Sequence, residues 1–337
     1  MSKKLNVVTG ATGLLGSHIA ERLTQAGERV RALVRAESDT HFLESIGVEL
    51  SRGDLQDVES LRTAFHSAEV VYHCAAKVGD WGPWRQFQSQ VIDGAQNVLQ
   101  ACEAEQVKRV LHTSSVTVYG HPRERGELFT EDEPLGQNLW LWDYYCRAKI
   151  EVEKLCRDYP GDLTIIRPSW IFGERDRNTM PRLFKLVQAG RARLLGSGEN
   201  KLNIVYAGDV ARGAILAANS EKRIGQAYNL CSPGEITQRE LMNLLTDEIG
   251  RKRIRRRFPF RVAYWAGFLS EIIGRIIRLK RPPHITRYGV GLIERSTQFS
   301  IQKARDELGW DLRMPIEEGL RRALDWYRSS LESRSMM

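Results

Sequence analysis

The amino-acid sequence predicts an α/β protein, a doubly wound parallel sheet with a smaller, interleaved C-terminal substrate-binding region. Three observations point there. Short β-branched runs alternate with amphipathic stretches of helical period through the first half, the pattern of successive βαβ units. A glycine-rich turn, Gly10-Ala11-Thr12-Gly13-Leu14-Leu15-Gly16, joins the first run to the first amphipathic stretch. The 337 residues, 42% hydrophobic and 27% charged, suffice for one large core with a small companion.

In order, strands are expected at 5–9, 29–34, 48–50, 70–73, 107–113 and 163–166, with helices at 15–26, 58–65, 87–105 and 144–158. The last strand should stop at Arg167-Pro168, because proline has no N–H for a central ladder. Beyond Pro168 the pattern loosens, with helices expected at 181–189, 208–219, 238–249 and 316–328 around turns such as Gly196-Ser197-Gly198. The expected division is a nucleotide-binding part at 1–167, a substrate-binding region at 168–330 without a clean boundary, and a frayed tail at 331–337.

Several classes are set aside. No apolar run long enough for a secretory leader follows Met1-Ser2-Lys3-Lys4, and nowhere do 18 uncharged apolar residues stand in a row. Five separated cysteines without a C-x-x-C pair read as buried thiols of a reducing compartment, so the expected location is cytoplasmic. No histidines stand at zinc-binding spacing, and no metal is expected. Eleven Lys and Arg against one acid, Glu271, stand between Arg251 and Arg281, more than the whole chain's net +8. The remainder is slightly acidic, which argues against a general nucleic-acid-binding surface.

The glycine turn lets backbone approach a pyrophosphate, and the helix that follows offers free N–H donors with a partial positive charge. Gly10, Thr12, Gly13, Leu14, Leu15 and Gly16 are therefore expected to hold a dinucleotide. The spacing G-x-x-G-x-x-G resembles the extended short-chain dehydrogenase/reductase family, with its Rossmann-type sheet, and the likeness runs from about Leu5 to Tyr327. It implies that Asp54-Leu55 contacts adenine and that Ala75, Ala76, Lys77 and Pro168 also line the cofactor. Strand two ends at Val34-Arg35 rather than in an acid. A guanidinium pairs with a 2′-phosphate, so NADP is expected over NAD, with Asp39 nearby keeping NAD open.

Tyr145 and Lys149 stand four apart on an expected helix, hence on one face. A phenol titrates near pH 10, and a neighbouring ammonium should favour its phenolate. Such a pair exchanges a proton with an alcohol or a forming alkoxide. Thr113-Ser114-Ser115-Val116-Thr117-Val118-Tyr119-Gly120 matches the family's hydroxyl segment. The resemblance makes Ser115 the hydroxyl that holds the reacting oxygen and gives Lys149 a second task on the nicotinamide ribose. Ser114 and Thr117 then read as turn and packing residues.

For the substrate, the Ala75–Trp84 loop and Asp143-Tyr144-Tyr145 resemble the 3β-hydroxysteroid dehydrogenase branch, which includes sterol-4-carboxylate and β-keto-acid enzymes. That implies a secondary alcohol or ketone on an apolar molecule. A nucleotide-sugar epimerase or reductase uses the same triad, but Leu202 stands where such members carry a diphosphate-binding arginine. Val116-Thr117 replaces the Asp-Glu of dehydratases, and a non-catalytic NADP sensor would lack the Tyr/Lys pair. The family also implies a homodimer through the apolar stripes of the helices at 87–105 and 144–158. The segment 258–281 has helical spacing with basic ends. Two uses fit it: a lid over the substrate, or an interfacial helix peripheral to the inner face of an anionic membrane.

Overall fold

Seven parallel strands form the central sheet of a computed structural model, which describes residues 4–220, 224–294 and 296–335. They are β1 (Leu5–Thr9), β2 (Arg29–Val34), β3 (Glu49–Arg52), β4 (Val70–His73), β5 (Arg109–Thr113), β6 (Leu163–Pro168) and β7 (Ala227–Leu230). Their order is β7-β6-β5-β4-β1-β2-β3, so the winding reverses between β1 and β4. A crevice opens beyond the strand ends at such a reversal. Both faces are covered. Val7 and Val8 are wholly buried in two different clusters on opposite faces, one with Phe65, Val98 and Val152, the other with Ile19, Tyr72 and Ala214. Burial on both sides is why the strands read as continuous apolar runs.

Strand β6 does not stop before the proline. It continues through Arg167 to Pro168, which pairs with Leu230, while its register with β5 ends at Ile166 opposite Thr113. With β5 already ended, the missing N–H of Pro168 leaves no ladder partner unmet.

Helix α1 (Leu14–Gln25) follows the glycine turn. The next long helix runs from Trp84 to Ala104, with a widened π segment, Gln88–Asp93, ahead of α2 (Gly94–Ala104). Its apolar side and that of α3 (Tyr144–Arg157) lie within the chain's own core. Their outward positions carry Arg85, Gln90, Gln96, Gln100, Arg147 and Lys154. The apolar stripes expected to form a dimer interface are therefore already used inside the chain.

The C-terminal region has a core of its own around Phe184, Leu241 and Leu324. Helix α4 (Phe260–Ile276) buries Ala263, Gly267, Glu271 and Gly274, and its small residues let α5 (Arg287–Glu294) come close. A Cβ on Gly267 would lie 3.1 Å from the Arg287 nitrogen. The final helix, α6 (Ile316–Ser335), takes in 331–335 of the tail expected to fray; 336–337 lie outside the described residues. Among the described residues no helix is long and apolar enough to cross a membrane.

Candidate active site

The glycine turn is built as a phosphate cradle. Gly10 has φ +70°, and a Cβ there would meet Ala75 backbone at 2.7 Å. One on Gly16 would strike the Gly10 carbonyl at 2.3 Å, so helix and turn touch through backbone. Gly13 caps α1 with no side-chain hydrogen bond, and no acid lies in the first turn, which leaves the helix's donors to a ligand. Thr12, Leu14 and Leu15 occupy this same turn, and Ala75 and Ala76 follow β4 directly across the reversal. These residues fit a dinucleotide. Lys77 turns aside, its ammonium 5.2 Å from the Phe87 ring centre. The Asp54 carboxylate accepts from Gln56 N–H at 2.9 Å, a turn contact, while Leu55 packs against Gly94.

Three catalytic candidates converge where β5 ends. The chain leaves Thr113 and turns at Ser115, whose Oγ accepts from Thr117 N–H at 3.3 Å. From α3, the Tyr145 hydroxyl hydrogen-bonds with Ser115. One turn on, the buried Lys149 Nζ donates to the Thr113 carbonyl at 2.8 Å, with two N–H left for another partner. Burial pushes Tyr145 up to about 12, against the opposing pull of the Ser115 hydrogen bond. Burial likewise pushes Lys149 down to about 8. The expectation that the ammonium would lower the phenol is not met in this arrangement: burial governs its acidity, and Ser115 is the group that opposes the rise. Tyr145 is held as a neutral acid. Beneath the site burial and Lys149 drive His73 down to about 3, so the positive charge there rests on Lys149.

Ser114 is more than a turn residue. Its Oγ donates to Glu153 Oε1 at 2.6 Å, and Arg167 clasps the same carboxylate through Nε at 2.9 Å and Nη2 at 2.7 Å. Glu153 lies one turn beyond Lys149, so this strut ties α3, β6 and the serine turn together. The sequence offered no signal for it, because its members are far apart along the chain.

A cavity opens beside Tyr145, with apolar walls from Val116, Trp170, Tyr288, Leu292 and Phe299. Its polar groups include Asp80, His121 and Asp143, with His121 Nε2 2.7 Å from Asp143 Oδ2. Thr117 Oγ1 is buried in the wall with no partner among the described residues. His121 is not singled out by the sequence, and Thr117 reads there as a turn or packing residue rather than as part of a cavity wall. Among the described lining residues there is no Lys or Arg. Trp81, in the loop after β4, ties that loop to the end of α4's segment: its Nε1 donates to the Leu279 carbonyl at 2.9 Å.

Residues 6–231 match the model of the NAD dependent epimerase/dehydratase family. The chain belongs to that family. Like other members, it is an NAD(P)-dependent oxidoreductase acting on hydroxyl and keto groups of small substrates. A 2-alkyl-3-oxoalkanoate reductase of Stenotrophomonas maltophilia (strain K279a) is 31% identical, over 94% of this chain and 97% of its own. The crystal structure of gox2253 matches with TM-score 0.80 at 27% identity, covering 97% of this chain and 99% of that one. MoeE5 in complex with UDP-glucose and NAD matches with TM-score 0.74 at 23% identity, covering 97% and 99%.

The family comparison corrects the cofactor. Solved structures of this fold hold NAD, which overturns the preference for NADP drawn from Arg35. The local structure agrees: the Arg35 Nε lies 3.4 Å from Glu37 Oε1, and that carboxylate would repel a 2′-phosphate.

Proposed function

We propose that the protein reduces the ketone of an apolar small molecule, of the β-keto-acid or 3-ketosteroid kind, to a secondary alcohol. The observation that carries this reading is the cavity at Tyr145, walled by Val116, Tyr288, Leu292 and Phe299 and free of Lys and Arg among its described residues. Such walls suit an apolar chain and give a diphosphate no counter-charge. The 2-alkyl-3-oxoalkanoate reductase relative supports the same substrate class, and membership of the 3β-hydroxysteroid branch is part of the proposal.

In this scheme the nicotinamide cofactor, when bound, supplies the hydride. The chain's residues do the rest. Ser115 Oγ–H holds the carbonyl oxygen, and Tyr145 Oη gives its proton to the forming alkoxide. Lys149 spends its two remaining N–H on the cofactor ribose, and its charge favours the tyrosinate left behind. A phenol held protonated favours reduction, since it begins as a donor.

A second reading, epimerisation of a nucleotide sugar by the same triad, has more solved structures of this fold behind it, several with UDP-sugar ligands. Nicotinamide absorbance with NADH separates the two. The first reading expects steady NADH loss with 2-alkyl-3-keto acids or 3-ketosteroids and none with UDP-sugars. Interconversion of UDP-sugars at constant absorbance would establish the second instead.

A further inference from the structure

Helix α4 is turned contrary to its hydropathy. Its most deeply buried positions are small or acidic, with Ala263, Gly267, Glu271 and Gly274 packed on α5 and the Trp81 loop, flanked by the half-buried Tyr264 and Phe268. Several large apolar residues face out. Trp265 is 60% exposed, Leu269 56%, Ile273 56% and Ile276 74%. These positions recur every three or four residues, so they make one continuous stripe along the outer face. Ile277 and Leu279 extend it past the helix end, and Ile285 is exposed nearby in the chain. An isolated exposed leucine would mean nothing, but a stripe about three turns long marks a contact surface.

Charge indicates what the contact is. Exposed Arg255, Arg256, Arg257 and Arg261 stand at the start of the helix, and exposed Arg278, Lys280 and Arg281 just beyond its end. The same segment contains a single acid, and Glu271 is turned inward, where it pairs with Arg287. An apolar stripe with cations at both ends and no outward acid matches the layering of an anionic bilayer, with acyl chains flanked by phosphates. A second copy of the same face would set like charge against like charge.

We propose that the outer face of α4 is a docking surface for anionic lipid, on which the protein lies without spanning the membrane. The stripe enters the acyl boundary while the arginines meet headgroup phosphates. Because α5 packs on the inner face of α4 and supplies Tyr288 and Leu292 to the cavity, docking brings the cavity wall within one helix thickness of lipid. The lid and interfacial uses expected of this segment are then two faces of one helix.

Flotation of the full chain with phosphatidylcholine vesicles, with and without one third phosphatidylglycerol, tests this. Binding is expected to the anionic vesicles, to fall at high salt, and to be at least about tenfold weaker on neutral ones. L269Q combined with I273Q should abolish it, and R255Q, R256Q and R257Q together should weaken it. These residues are exposed and outside the catalytic cluster, so turnover of a water-soluble substrate should be unchanged. Equal binding to both vesicles, or no binding to either, overturns the proposal. So does L269Q/I273Q converting a dimer to a monomer by light scattering without changing flotation, which would assign the stripe to a second copy.

Discussion

Two buried arginine–glutamate pairs hold the two sides of the site, and they are built differently. Under the catalytic residues, Arg167 and Glu153 are 1% and 0% exposed, and hydrogen bonds to Ser114 and Tyr119 engage them further. Between α4 and α5, in the segment for which a lid was one of two expected uses, Glu271 accepts from Arg287, but the guanidinium's other neighbours are ring faces, with Phe268 at 4.7 Å and Trp140 at 5.1 Å. Hydrogen bonds fix direction to within tens of degrees, whereas a cation over a ring keeps most of its attraction as it slides. The pair under the catalytic residues is thus bound by hydrogen bonds to further partners, while beyond its carboxylate the Arg287 guanidinium is surrounded by rings.

Tyr145→Phe should give the largest loss, since it removes the proton donor and leaves both pairs intact. Turnover should fall roughly a thousandfold with NAD affinity nearly unchanged by fluorescence titration. Retained turnover would separate the chemistry from the Arg167–Glu153 pair altogether.

Glu153→Gln comes next, because it leaves a buried guanidinium without its counter-charge. Denaturant unfolding should show a loss of about 3–5 kcal/mol. The freed serine turn should also lower kcat. Glu271→Gln should cost less, roughly 2 kcal/mol, since the rings around Arg287 remain. Its kinetic effect should fall on KM, with kcat largely kept. Equal kcat losses in the two variants would erase the distinction drawn between the two pairs.

Acidity gives a finer comparison. Lys149 is charged below about 8 and neutral above, while Tyr145, at about 12, stays protonated throughout. Ketone reduction should therefore weaken as pH rises through about 8. The Glu153 carboxylate is among the charges that raise Lys149. Glu153→Gln should accordingly move the midpoint down, and Glu271→Gln should leave it in place. A midpoint that moves in neither variant would detach Lys149 from the pH profile.

The smallest effect concerns self-association. If the outward faces of α2 and α3 carry a homodimer, its contacts are glutamines and charges such as Arg147 and Lys154. Light scattering should then find a dimer whose mass falls toward the monomer's in high salt. A dimer indifferent to salt would have its interface elsewhere.

Much of this was legible in the sequence, and the reasons are local. Strand, glycine turn and helix follow one another within residues 5–25, so short-range pattern suffices for the cradle. Tyr145 and Lys149 share one helix face by spacing alone. What pattern could not show depends on distant partners. The helical spacing of α4 left open which face turns inward, and Gly267 and Gly274 pack inward where Arg287 and Trp81 come close to them. Asp80 and Tyr288 enter the cavity from loops and helices with no motif of their own. The Arg35 inference rested on one side chain, and that side chain stands two-thirds exposed beside Glu37 at 3.4 Å.

The bond from Trp81 to Leu279 spans 198 residues. Six of the seven sheet strands, the glycine turn and all three catalytic candidates are already present by Pro168, long before Leu279 leaves the ribosome. Domains assemble from the N-terminus as they are synthesised, and contacts between distant residues form late. The nascent chain should therefore acquire its nucleotide cradle first and its lid last. A chain interrupted in the lid would be one that still holds its cofactor but leaves the reacting end of it open to water.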